Sequence, residues 1–193
     1  MVSRKSKTKK LVVCSAFVAL SVVLSLFTLW ELPMGGSVTP ASMLPVLLIG
    51  VLYGSRWGLG SAFLVSLFQV FQALIKGNVF PYCQTTLVLL VCILFDYIVP
   101  YTILGLSGML RKVSLGKWKN FGVYLGMFVC VFLRFLCHFF TGITIWGQWD
   151  DGVLGGILYS ISYNGSFLLP DFAIALAAGI LLLESGSMKK LRE

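Results

Sequence analysis

Acidic side chains are scarce in this 193-residue chain, with seven Asp and Glu against fifteen Lys and Arg, and histidine occurs once. Charged residues make up 11% of the sequence and hydrophobic ones 58%, and the mean hydropathy is +0.94. A soluble globule of this length needs more polar surface than that, so the composition excludes one. The five cysteines (Cys14, Cys83, Cys92, Cys130 and Cys137) have neither metal-site nor disulfide-framework spacing. Four of them fall inside apolar segments, where a thiol serves as small apolar filler. With a single histidine as well, no metal centre is expected. A phosphate-cradling glycine loop ending in lysine is missing too, so the chain does not itself hydrolyse ATP. There is no internal repeat and no low-complexity segment.

What the chain does have is six apolar segments, roughly Leu11–Trp30, Thr39–Tyr53, Trp57–Ile75, Thr85–Leu110, Phe121–Ile145 and Tyr159–Leu183. All but two of the fifteen basic residues sit at alternate ends of these segments. They occupy the start (Arg4, Lys5, Lys7, Lys9, Lys10), Arg56, the turn Arg111, Lys112, Lys117 and Lys119, and the end (Lys189, Lys190, Arg192). The intervening gaps carry Glu31, Lys76, Asp150 and Asp151. By the positive-inside rule this predicts an all-α, polytopic membrane protein of six transmembrane helices with both termini cytoplasmic.

Six spans of about 20 residues use most of the chain, leaving one membrane domain over 1–193 with short tails at 1–10 and 184–193. The net charge of +8 is explained by topology and anionic membrane lipid, and nucleic acid is not an expected partner. Leu11–Trp30 is too long for a signal-peptide core and no small-x-small cleavage site follows, so it is expected to remain as the first helix. Gly54-Ser55-Arg56-Trp57-Gly58 predicts a tight turn at the headgroup layer. Small residues four apart, at Gly50/Gly54, Gly122/Gly126 and Gly152/Gly156, predict close helix contacts.

Polar residues within the segments gather toward the non-basic side: Gln69, Gln72, His138 and Asn164 near the outer ends, and Asp96, Arg134 and Asp171 deeper. An ionisable group in hydrocarbon costs about 2.5–3.5 kcal/mol on insertion scales, so these residues must face a protein interior or cavity. Trp30, Tyr82, Trp146, Trp149, Tyr159 and Tyr163 lie near the same boundary, and residues 142–152 read as a lid. Aromatic walls, carboxylates and amides suit a small, flat, cationic heteroaromatic ligand. Structural roles compete with this reading. Arg134 and His138 share one helix face, and Arg134 equally fits a buried ion pair with Asp96. His138 fits a hydrogen-bonding wall better than a metal ligand. Asp171 follows Pro170 and is expected to satisfy backbone freed by the proline kink.

The run from Leu32 to Pro45, then Asp96-Tyr97, then Arg134-Phe135-Leu136-Cys137-His138-Phe139 with Gly142 and Trp146, then Tyr159 to Gly165, resembles the thiamine-specific substrate-binding component of energy-coupling-factor transporters, the ThiT/YuaJ family. The resemblance implies a six-helix subunit in the bacterial cell membrane that binds thiamine from outside, with no cofactor. It also implies a transmembrane coupling protein and two ATPase subunits as partners. Carried over residue by residue, it implies that Asp96 holds the aminopyrimidine with Tyr97 beside it. Likewise it implies that Arg134, His138, Trp146, Tyr159 and Asn164 line the pocket. Asp96 is shorter than the glutamate of some relatives, and no aromatic pocket residue is matched in the first loop, where Trp30 lies too early and Gly36 stands nearer. The family's alanines on the first span are represented by Ser15 and Ala19, then Val23. A solitary proton-coupled thiamine carrier, or a binding component for another small heteroaromatic vitamin, is the alternative. An intramembrane enzyme is poorly supported, since His138 has no nucleophile or metal partner at a motif spacing.

Overall fold

The computed structural model describes residues 4–77, 79–147, 152–188 and 191. In chain order the elements are α1 (Arg4–Leu26), the paired strands β1 (Trp30–Glu31) and β2 (Ser37–Val38), α2 (Leu44–Tyr53), α3 (Ser55–Lys76), α4 (Thr86–Cys92), α5 (Val99–Ile103), α6 (Phe121–Thr144) and α7 (Gly152–Glu184). A π-helical turn, Ile93–Ile98, joins α4 to α5, and a 3-10 turn, Leu104–Leu106, ends that run.

Among the described residues five helical stretches are long and apolar enough to cross a membrane, and the fourth expected span ends at Leu106 rather than Leu110. The expected second span is helical only from Leu44. Its ten residues reach about 15 Å, half the thickness of a hydrocarbon core. Two prolines explain the shortening. Pro40 disfavours helix at Thr39, and Pro45 suits a first turn, where its missing N–H costs nothing. Ala41 adopts a positive φ of 64° between them.

Non-helical backbone at this depth needs internal partners, and it has them. Thr39 N–H donates to Asp171 Oδ1 at 2.9 Å, Ser42 N–H to Thr39 Oγ1 at 3.2 Å, and the Ser42 carbonyl accepts from Ser21 Oγ at 2.6 Å. Asp171 therefore serves the segment leading into α2, not the backbone around Pro170.

α2 is the central post of the bundle. Leu44 to Leu52 are all buried, against Ala62 and Val65 of α3, Val123, Met127 and Cys130 of α6, and Ala175 of α7. Close approach on one side depends on glycine. A Cβ on Gly58 would collide with the Gly105 carbonyl, so α3 and the 3-10 turn meet backbone to backbone.

One end of the bundle collects the basic gaps. Lys10 Nζ lies 5.9 Å from the Tyr53 ring centroid, Tyr53 Oη donates to the Leu191 carbonyl at 2.9 Å, and Arg111 Nη1 to the Val51 carbonyl at 3.3 Å. Both ends of the described chain thus lie on the same side, as the charge pattern predicts. The opposite end carries the β1–β2 hairpin, tied to the last turn of α3 by a Lys76–Glu31 ion pair of 2.9 Å.

Candidate functional site

Pro100 sets up the centre of the site. Its ring has no N–H and crowds the carbonyl four residues back, which belongs to Asp96, and the chain widens there into the π turn Ile93–Ile98. The turn presents the Asp96 carboxylate to the C-terminal half of α6. Oδ1 accepts from Thr141 Oγ1 and lies 3.2 Å from His138 Nδ1, and Oδ2 accepts from Trp146 Nε1 at 3.0 Å. Only 12% of the Asp96 side chain is exposed. A carboxylate with three partners in such a place is held in one orientation.

Arg134, His138 and Thr141 are spaced three and four apart on the buried stripe of α6. Arg134 Nε donates to His138 Nε2 at 3.4 Å, and its guanidinium lies over the Tyr101 ring, 4.2 Å from the centroid. A guanidinium N–H can only donate, so Nε2 accepts and the imidazole proton sits on Nδ1, facing Asp96. The buried Arg134–Asp96 ion pair left open by the sequence is not formed: among the described residues, the pairs within 4.0 Å are Lys76–Glu31 and Asp96–His138.

α7 supplies the facing wall. Tyr159, Tyr163 and Phe167 follow one another at helical spacing; the tyrosine rings stack with centroids 5.7 Å apart, and Tyr163 meets Phe167 edge-on at 5.9 Å. His138 also meets Phe167 edge-on, at 6.0 Å. Asn164 Nδ2 donates to the carbonyls of Ser160 at 2.9 Å and His138 at 3.2 Å, which leaves its side-chain oxygen for other donors. The helices come this close because position 142 is glycine: a Cβ there would lie 2.9 Å from Ser160 Cβ and 3.1 Å from Asn164 Nδ2.

These groups line a single cavity at the hairpin end of the bundle, with about 120 Å³ available to the centres of water-sized molecules. That is many times the roughly 10–15 Å³ one water needs, and fits a small organic molecule. Asp96, Tyr97, Arg134, His138, Trp146, Tyr159 and Asn164 all border it. The hairpin covers part of it. Gly36 N–H donates to Tyr163 Oη at 3.0 Å, and Tyr163 Oη donates to the Pro33 carbonyl. Trp30 is 55% exposed and does not border the cavity, whereas Gly36 does. The second half of the expected lid, 148–151, lies outside the described residues. Among the described residues no group of three or more His, Cys, Asp or Glu is placed to hold a metal ion.

Sequence reasoning did not single out Thr141, Tyr101 or Phe167, and placed Tyr163 and Gln69 only near the outer boundary. Helical spacing alone relates Thr141 to His138, and Phe167 to Tyr159 and Tyr163. Nothing in the sequence pairs Thr39 with Asp171.

Comparison with known proteins agrees with this architecture. A family model described as thiamine transporter protein (Thia_YuaJ) matches residues 11–190. The chain is 29% identical over 170 residues to the thiamine transporter ThiT of Bacillus subtilis (strain 168), covering 84% of this chain and 82% of that protein. The solved structure of ThiT from Listeria monocytogenes is similar with a TM-score of 0.70 at 20% identity, covering 96% of this chain and 98% of the other. At that identity the structural likeness speaks for the fold alone.

Proposed function

The chain belongs to the Thia_YuaJ family of thiamine transporter proteins, transporters rather than enzymes, and on that premise we propose that it is the membrane-embedded thiamine-binding subunit of an energy-coupling-factor transporter. It is a multi-pass bacterial membrane protein. In this reading the cavity faces outward, since the basic gaps gather at the other end of the bundle and mark the cytoplasmic side. The observation that carries the reading is the buried Asp96 carboxylate, fixed by Thr141, His138 and Trp146 at the edge of a ring-lined cavity.

Thiamine joins a permanently cationic thiazolium to an aminopyrimidine. Asp96 supplies the charge that a desolvated cation requires, and one of its oxygens accepts from the amine. Trp146 and the Tyr159–Tyr163 stack offer π faces, each worth about 0.5–2 kcal/mol to a cation. Tyr97, whose ring lies 5.4 Å from Phe80, closes the side beside Asp96. Asn164, its NH2 held by the His138 and Ser160 carbonyls, presents its free side-chain oxygen to the cavity as a further acceptor. Arg134 faces no carboxylate at ion-pair distance; it orients His138.

Release into the cell needs work that this chain does not supply, and a transmembrane coupling protein with two ATPase subunits provides it. The test has two steps. Tryptophan fluorescence of the purified protein is expected to be quenched by submicromolar thiamine and not by riboflavin or biotin; a response to those vitamins instead rejects the substrate. Uptake in cells deleted for the coupling module is expected to vanish, and persistence there, abolished by an uncoupler, would establish the solitary carrier.

A further inference from the structure

The inward stripe of α3 is built from small residues, Ser61, Ala62, Val65, Ser66 and Ala73, with one exception. Gln69 stands in that stripe, 9% exposed, where the apolar core gives way to the cavity. An amide carries one acceptor and two donor hydrogens, yet Gln69 makes no hydrogen bond to another described residue. Its neighbours do. Ser66 Oγ donates to the Phe63 carbonyl at 2.7 Å, and Gln72 Nε2 to the Ser25 carbonyl at 3.3 Å. Among the described residues, Thr102 Oγ1 is the sealed side-chain polar atom without a partner, so the Gln69 amide is not walled in: it fronts the cavity. An amide open to the cavity and without a protein partner is free to pair with what enters it, and a polar position that breaks the local pattern of the stripe marks a site whose partner comes from outside the chain.

The chemistry of that partner follows from the amide. A planar C=O beside NH2 matches an edge that carries an amine next to a ring nitrogen, the pairing by which glutamine and asparagine read adenine. A 4-aminopyrimidine has this edge. Asp96 cannot read it alone, because a carboxylate has no hydrogen to donate to the ring nitrogen, and its oxygens already accept from three groups. α3 packs against the π turn that carries Asp96, so the two side chains approach one cavity from adjoining walls.

We propose that Gln69 is a specificity-determining residue of the ligand site: its carbonyl accepts one N–H of the aminopyrimidine, its NH2 donates to the adjacent ring nitrogen, and Asp96 accepts the second N–H. This role rests on the thiamine reading above.

The test is calorimetric titration of the full chain in nanodiscs with thiamine and with a thiamine analogue in which hydrogen replaces the 4-amino group. Gln69→Met keeps the shape and removes the amide. It is expected to weaken thiamine binding about tenfold to a hundredfold, and binding of the analogue, which keeps the ring nitrogen but has no amine, by a factor at least about threefold smaller. Equal losses for both ligands, or thiamine binding within threefold of wild type, would overturn the proposal and leave thiamine binding itself intact. A wild-type protein that is folded and does not bind thiamine overturns the parent reading, and the role of Gln69 with it. Gln69→Ala, which also removes the amide and enlarges the cavity, is scored by the same rule if methionine disturbs the helix.

Discussion

Replacing Asp96 with asparagine removes one charge and keeps the shape, and the structure says where the change is felt. One carboxylate oxygen becomes an NH2. On the Oδ2 side it meets Trp146 Nε1, which can only donate, so that orientation leaves two donors opposed. On the Oδ1 side it meets Thr141 and His138. Thr141 can turn its hydroxyl hydrogen to the His138 carbonyl, 3.0 Å away, but the Nδ1–H of His138 stays opposed while Arg134 occupies Nε2. One buried donor therefore goes unpaired, at about 1–3 kcal/mol. This cost falls largely on the free protein. Lost attraction to the ligand is separate: a unit pair roughly 5 Å apart at an effective dielectric of about 20 is worth about 3 kcal/mol. Allowing for partial compensation by water, the net loss is about 2–4 kcal/mol, or roughly 30-fold to 1,000-fold in Kd. Isothermal calorimetry with thiamine measures the total. A free aminopyrimidine fragment without the thiazolium is expected to lose about tenfold or less, because it has no charge to miss. Thiamine binding to Asp96→Asn within threefold of wild type, in a protein of unchanged melting temperature, would refute the electrostatic role.

Other substitutions probe the surroundings. Thr141→Val keeps volume and deletes the hydroxyl that holds Asp96; about a fivefold to tenfold loss of thiamine affinity is expected, restored by Thr141→Ser, and calorimetry reads both. Asp171→Ala strips both acceptor contacts from Thr39 and should destabilise the fold by about 2–4 kcal/mol, with faster hydrogen exchange at the Thr39 amide than in wild type. Gly142→Ala pushes a methyl against Ser160 and Asn164, an overpacking cost of about 1–3 kcal/mol that a thermal melt in detergent would register; an unchanged midpoint would mean α6 and α7 do not approach so closely. Glu31→Gln breaks an ion pair whose side chains are a third or more exposed, and should change stability by less than about 1 kcal/mol in the same melt.

The bundle was readable in advance because hydropathy and the placement of basic residues act over whole segments. Errors of a few residues at each end, as at Leu106, do not change the topology. In the second segment apolar composition dominates the pattern and predicts a longer helix, while Pro40, Pro45 and the Asp171–Thr39 bonds decide where the helix starts. Asp171 differs from its expected role for a similar reason: a proline next door is visible in sequence, and a threonine 132 positions earlier is not.

The linear chain settled which side chains cannot tolerate lipid. Asp96, Arg134, His138, Asn164 and Asp171 had to turn inward on desolvation alone, and helical spacing put Arg134, His138 and Thr141 on one stripe. Folding settled which of them meet. Asp96 is bound to partners 42, 45 and 50 residues away, on elements whose angle and depth depend on Gly58, Gly142 and the turn before Pro100. A hydrogen bond works over a few tenths of an ångström and a narrow angle, whereas hydrophobic periodicity locates a residue only to within a helix face. That gap in resolution is why the polar residues could be named from the sequence, and why the pairing of Asp96 with Trp146, and the absence of a protein partner for Gln69, required the assembled bundle.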